Sequence, residues 1–246
     1  MEPIDKMLAD KIVWIAGASS GVGEAAALSF ARQGATLILS GRRKERLASV
    51  AKAAEALGGK AHAFPGDLGD PDTSRSTVDF IRSSFGRLDV LVNTVGVNIR
   101  NRSWAELDAQ GIDEVIGGNL SVPFYCVTAA LPLMRSQKSG VMIHISSIAG
   151  NRISLVGGPA YSAAKHGLVA MSHTLNQAES ANGIRSSVIC PGGINTAFLD
   201  KRPVVVSADE RAKLLRPGDV ADLILYIAGL PPTVRLDEVT ITPASG

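Results

Sequence analysis

The sequence predicts an α/β domain built on one doubly wound parallel sheet of about seven strands, with helices on both faces. Three observations carry this. Seven short β-rich runs recur along the chain, and helical patterns separate them. No repeat, low-complexity tract or Pro/Ser-rich linker divides the 246 residues, so residues 1–246 read as a single domain. The 46% hydrophobic content is enough to fill a substantial core in a chain of this length.

The elements follow in order. Ile12–Ala16 is an apolar run of strand length, and the alanine-rich stretch after Gly23 has helical periodicity as far as Phe30. Between them lies Gly17-Ala-Ser19-Ser20-Gly21-Val22-Gly23. Glycines at such a turn permit a tight bend and close approach of backbone to a pyrophosphate, which a helix N-terminus then favours electrostatically. The spacing is Gly-x-x-x-Gly-x-Gly, distinct from the commoner Gly-x-Gly-x-x-Gly fingerprint. Further strands read at Thr36–Ser40, Ala61–Phe64, Val90–Asn93, Val141–Ser146, Ser186–Cys190 and Glu238–Thr242, and helices at Lys44–Leu57, Thr73–Phe85, Tyr161–Asn182 and Asp219–Gly229. Ligands of such sheets bind beyond the carboxyl ends of the strands, where Gly17, Asn93, Ser147 and Pro191 are expected to gather.

The most informative local pair is Tyr161 and Lys165. At i and i+4 they share one helix face. An ammonium beside a phenol favours the phenolate, so Lys165 is expected to lower the Tyr161 pKa toward a range useful for proton transfer. The plain structural reading is one buried aromatic and one solvated lysine.

Taken together the motifs resemble the short-chain dehydrogenase/reductase family, in its branch of about 250 residues. Gly17, Gly21 and Gly23 match its cofactor-binding glycines, with Ala16 where threonine is usual. Asp67-Leu68 stands where the family places an acid near the adenine. Asn93-Thr-Val-Gly96 corresponds to its Asn-Asn-Ala-Gly, Asn119 to its helix asparagine, and Pro191-Gly192-Gly-Ile194-Asn-Thr196 to its proline-glycine turn. Ser147, Tyr161 and Lys165 fall in the family's order and spacing; neighbouring Ser146 is a rival to Ser147. Two departures stand out. Thr94 and Val95 replace Asn and Ala, implying one lost sheet-stabilising side chain and a bulkier wall beside the adenosine, and the tail from Leu236 to Gly246 lacks a glycine-rich ending.

The resemblance implies a Rossmann-type fold and hydride transfer between nicotinamide and a carbonyl or secondary alcohol: a ketone, an aldehyde, or a 3-oxo or 3-hydroxy acid. It assigns Asn119, Ser147, Tyr161 and Lys165 to catalysis. Tyr161 is the general acid/base, Ser147 holds the carbonyl oxygen, Lys165 also holds the nicotinamide ribose, and Asn119 interrupts its helix and anchors a water linking Lys165 to solvent. Cofactor contacts are expected from Gly17, Ser19, Ser20, Gly21, Val22, Gly23, Ser40, Arg42, Arg43, Asp67, Leu68, Asn93, Gly96, Tyr161, Lys165, Pro191, Gly192, Ile194 and Thr196. A homodimer or homotetramer is implied, through helices at Leu120–Arg135 and Tyr161–Asn182. A non-catalytic dinucleotide sensor or scaffold of the same fold is the alternative.

Cofactor choice has its own signal. An NAD site usually offers a carboxylate after the second strand. Here Ser40 and Gly41 occupy that stretch, no acid precedes Glu45, and Arg42-Arg43-Lys44 follows. A guanidinium suits a 2′-phosphate, so NADP(H) is expected over NAD(H), with NAD(H) still possible and Arg42 in the lead, assisted by Arg43 or Ser40. Twenty-five basic against twenty-three acidic residues, dispersed along the chain, leave no nucleic-acid footprint. Cys126, Cys190 and four scattered histidines show no metal spacing, so no metal is expected. The start of the chain has no apolar leader and no run reads as a membrane span, so a cytoplasmic protein is expected. Substrate contacts are expected from a cover over Asn195–Leu215 and a wall over Asn151–Pro159. In the cover, Lys201 and Arg202 either meet a carboxylate or face solvent.

Overall fold

The computed structural model describes residues 8–244. Its strands are β1 Ile12–Ala16, β2 Thr36–Gly41, β3 Lys60–Pro65, β4 Val90–Asn93, β5 Gly140–Ile145, β6 Ile184–Pro191 and β7 Glu238–Ile241. Its α-helices are α1 Gly21–Arg32, α2 Lys44–Ala56, α3 Pro71–Phe85, α4 Ala109–Ile116, α5 Val122–Gln137, α6 Pro159–Glu179, α7 Ala208–Ala212 and α8 Pro217–Ala228. The strands form one wholly parallel sheet in the order β3-β2-β1-β4-β5-β6-β7.

Alternation along the strands sorts the core into two layers. Val13, Ile15, Leu37, Leu39 and Val92 meet Phe30, Leu47, Val50, Val220 and Ile224 of α1, α2 and α8. Trp14, Ile38, Leu91 and Met142 meet Val78, Ile81, Cys126, Leu168 and Met171 of α3, α5 and α6. Every residue of β1 is buried, as a strand covered on both faces must be. Full burial of each leucine-sized side chain contributes about 1.5–3 kcal/mol. These two layers therefore anchor the sheet.

Strand order reverses between β1 and β4: β2 and β3 extend one way and β4 to β7 the other. At that switch the loops leaving adjacent strands part in opposite directions and open a crevice.

Element types match the sequence reading, and boundaries differ locally. Strand β5 ends at Ile145, one residue early, which frees Ser146 and Ser147 to turn. Helix α6 begins at Pro159, and its expected last turn, Ser180–Asn182, is a tighter 3₁₀ turn stopped by Gly183 in the left-handed region (φ 71°). The helices α4 and α7 had no sequence counterpart. Through the π-helical turn Gly117–Ser121, α4 and α5 form one helical segment of 29 residues. By length and composition that segment is apolar enough to cross a membrane, contrary to expectation. One face of it packs into the core: Val122, Cys126, Val127, Leu131 and Met134 are buried against α3 and the sheet.

Candidate active site

A cleft of about 970 Å³ opens above the carboxyl ends of the strands. Its floor begins at the glycine turn after β1. Gly17 is left-handed (φ 92°), and a Cβ there would sit 2.8 Å from Thr94 Oγ1. A Cβ on Gly23 would lie 2.3 Å from the Gly17 carbonyl oxygen. Gly23 therefore lets α1 pack on the turn and does not itself line the cleft. Ser20 occupies the N-cap of α1 without a side-chain cap, which leaves first-turn N–H groups open to an anion.

The expectation at Thr94 is corrected. Its hydroxyl donates to the Ala16 carbonyl at 2.8 Å, so β4 remains tied to β1. Val95 lines the cleft as the bulkier wall the sequence implied.

Arg42 and Arg43 both line the cleft at the end of β2. Arg43 is the one held in place: its guanidinium donates to Ser19 Oγ (2.8 Å) and Ser20 Oγ (2.6 Å). Ser40 departs from expectation. It is fully buried, and its hydroxyl accepts from the Trp14 indole at 2.9 Å, because Ser40 shares the sheet face of Ile38 and Trp14. Asp67 closes its own turn by accepting from Gly69 N–H at 2.9 Å, and it lines the cleft beside Leu68. A glycine cradle, an uncapped helix start and a guanidinium pair suit the phosphates of a dinucleotide.

Asn93 also departs from expectation. It lies beneath the cleft, its amide donating to His144 Nδ1 at 3.1 Å and bracing β4 against β5. Burial pushes the His144 imidazole down to about 3, so the ring is neutral and can accept that bond.

Gly96, Pro191, Gly192, Ile194 and Thr196 line the far wall. Thr196 Oγ1 caps the 3₁₀ turn Ala197–Lys201, accepting from Phe198 N–H at 3.3 Å.

The four expected catalytic residues converge from three elements. Ser147 follows β5, and its Oγ accepts from Ala149 N–H at 3.1 Å. Its hydroxyl also faces the Tyr161 phenol and favours the ionised form of that group. Ser146 is occupied elsewhere, donating to the Lys165 carbonyl at 3.0 Å. Asn119 sits inside the π-helical turn, as an interrupting residue should. Both its amide protons are spent, on the Val97 carbonyl (2.6 Å) and the Val115 carbonyl (2.8 Å). A Cβ on Gly96 would lie 3.4 Å from Asn119 Oδ1 and 3.8 Å from Lys165 Nζ, so both groups face that glycine.

The electrostatics correct one expectation. Lys165 Nζ donates to the Ile145 carbonyl at 2.9 Å and stands 5.7 Å from the centre of the Tyr161 ring. It is not what lowers the phenol pKa. Burial dominates and pushes Tyr161 up to about 12, opposed by the Ser147 hydrogen bond and by the charges of Arg102 and Arg202. Burial also pushes Lys165 down to about 8.

Arg102 has no sequence motif around it and was missed. It lines the cleft with Tyr161, Phe198 and Arg202, and the Phe198 and Tyr161 ring centres are 6.1 Å apart. Cys126 and Cys190 are buried free thiols, with burial pushing them up to about 12 and about 11. Among the described residues no group of three His, Cys, Asp or Glu is placed to hold a metal.

Comparison with known proteins agrees with this geometry. The family model described as short chain dehydrogenase matches residues 11–203. The chain is 32% identical over 229 residues to 3-oxoacyl-[acyl-carrier-protein] reductase FabG of Thermotoga maritima, covering 90% of this chain and 91% of that one. It is 31% identical to an uncharacterised oxidoreductase of Staphylococcus aureus strain MW2, covering 96% and 99%. Among solved structures, a metagenomic short-chain oxidoreductase in complex with NADP superposes with a TM-score of 0.84 at 28% identity, covering 98% of this chain and all of that one. A 3-ketoacyl-ACP reductase from Sinorhizobium meliloti 1021 gives 0.82 at 28% identity, covering 94% and 96%. The chain belongs to the short-chain dehydrogenase/reductase family, oxidoreductases that act on CH–OH groups with a nicotinamide dinucleotide.

Proposed function

We propose that this protein is an NADP(H)-preferring oxidoreductase that interconverts a carbonyl and a secondary alcohol, with Tyr161 as general acid/base. The observation that carries this reading is the meeting of the Ser147 and Tyr161 hydroxyls, with Lys165 and Asn119 behind them, in the cleft that begins at the glycine turn.

When bound, the dinucleotide supplies or takes the hydride. The chain supplies the proton. In the reductive direction, the Ser147 hydroxyl donates a hydrogen bond to the carbonyl oxygen and fixes its position. Tyr161, kept protonated by burial, gives its proton as that oxygen becomes negative. The Ser147 hydrogen bond and the charges of Arg102 and Arg202 then stabilise the phenolate, and the Lys165 ammonium, fixed by the Ile145 carbonyl, would hold the nicotinamide ribose. Asn119 holds the π-helical turn open at Gly96, beside the lysine. In oxidation the same groups run in reverse.

For the cofactor, Arg43 and Arg42 favour a 2′-phosphate, and the turn ending β2 carries no acid to prefer a free 2′-hydroxyl. The NADP in the metagenomic neighbour supports the same choice. The remaining expected contacts are Gly17, Ser19, Ser20, Gly21, Val22, Asp67, Leu68, Gly96, Pro191, Gly192, Ile194 and Thr196, all of which line the cleft. The reductases from Thermotoga and Sinorhizobium support 3-oxo acids or their derivatives within the substrate class. The whole chain acts as one domain, in the cytoplasm, as a homo-oligomer and without nucleic-acid or membrane partners.

The test is to mix the protein with NADPH and a panel of ketones, aldehydes and 3-oxo acids. We expect NADPH to be consumed with at least one of them; a sensor or scaffold binds NADPH and consumes none.

A further inference from the structure

Three cations line the substrate side of the cleft: Arg102, Lys201 and Arg202. None of them makes an ion pair among the described residues. Asp113 and Glu114 also line the cleft, exposed on α4, and two acids closer in sequence are engaged elsewhere. Asp200 pairs with Arg211, and Glu210 closes the capping box of α7 with Ser207.

Arg102 is the unusual member. It is only 7% exposed, and arginine is rarely so buried without a charged partner. Its Nη1 and Nη2 donate to the carbonyls of Val156 and Lys201, which are neutral acceptors on two separate loops that line the cleft. Its Nε is buried with no acceptor. The charges that bear on it are two more cations, Arg202 and Arg100, opposed by the Tyr161 phenol in its ionised form. A buried guanidinium with an unspent donor, facing like charges, is a site that lacks its anion.

We propose that Arg102, seconded by Arg202, binds an anionic group on the substrate, so that the preferred substrate is a carbonyl compound carrying a carboxylate or a phosphate. The inference rests on the carbonyl-reduction reading and specifies its substrate. The anion meets the arginines while its carbonyl oxygen meets Ser147 and Tyr161 in the same cleft. The two loops that Arg102 bridges, at Val156 and Lys201, then close on the anionic end.

The experiment compares matched pairs with NADPH: 3-oxohexanoate against its methyl ester, and dihydroxyacetone phosphate against dihydroxyacetone. In the wild-type protein, kcat/KM is expected to favour an anionic member by about tenfold or more, and the responding pair identifies carboxylate or phosphate. In Arg102→Met that anion-to-neutral ratio falls about 10- to 100-fold. Arg202→Ala, which leaves both wall carbonyls bonded to Arg102, lowers the ratio in the same direction. Calorimetric titration with hexanoate against hexanamide, and with inorganic phosphate, reads the anion site without turnover. An anion should bind the wild-type protein and be lost in Arg102→Met. Equal preference for both members of each pair, or an Arg102→Met variant that loses both members alike, reduces Arg102 to a tie between walls and overturns the inference. Failure of every compound to consume NADPH refutes the carbonyl reading instead, and the titrations still decide the anion site.

Discussion

In the proposed mechanism Lys165 sets the pH dependence. Its ammonium is buried, so its pKa falls from 10.5 to about 8. Below that value it is charged and holds the nicotinamide ribose as a cation; above it that hold weakens. The reductive rate is therefore expected to fall as pH rises through about 8, read from kcat/KM between about pH 6 and pH 10. Lys165→Met should lower the rate throughout and remove that break; a break that persists in the variant contradicts the assignment. The pairing itself was legible, since i and i+4 must share a helix face. Its electrostatics were not, because they depend on a partner twenty residues away, the Ile145 carbonyl, and on how deeply the phenol is buried. Spacing fixes a direction on a helix. Burial is decided by the rest of the chain.

Among the elements, the β2–α2 junction is the one that the proposed NADP preference rests on. Strand β2 ends in Gly41 and α2 starts at Lys44, so Arg42 and Arg43 occupy the turn between them. Both arginines are exposed, and Arg43 is fixed by two serines of the glycine loop. Arg43→Ala is accordingly expected to reduce the NADPH-to-NADH ratio of kcat/KM by about tenfold, measured with one substrate at matched conditions. An unchanged ratio removes the arginine pair from cofactor choice. The sequence reading gave Arg42 the lead; in the structure both arginines line the cleft and Arg43 is the one bonded to the glycine loop. Ser40 was expected at the cofactor, but period-two alternation along β2 puts it on the face of Ile38, where the cleft does not reach. Strands and long helices were readable because they bury regular patterns. Helix α4, eight residues long, and α7, five residues long, carry too few turns for a pattern to emerge.

Over the whole molecule, one sheet with its order reversed between β1 and β4 brings residues 17 to 202 to a single cleft. Motifs with short internal spacing showed themselves in sequence, as the glycine turn and the Tyr161–Lys165 pair did. Arg102 did not, since its partners lie 54 and 99 residues away and no local pattern encodes them. Helices α5 and α6 expose Phe124, Ala163 and Ala170. If homo-oligomers form through these faces, size-exclusion chromatography should give a dimer or tetramer, and a monomer alone refutes the pairing. The central claim is that this assembly exists to let one phenol pass a proton to a carbonyl oxygen. Its most direct test is Tyr161→Phe, assayed for NADPH oxidation on a substrate found in the panel and for NADPH binding by fluorescence titration. The account predicts turnover reduced by about 10²- to 10⁴-fold with NADPH still bound; a variant that binds NADPH and reduces the substrate at close to the wild-type rate contradicts it.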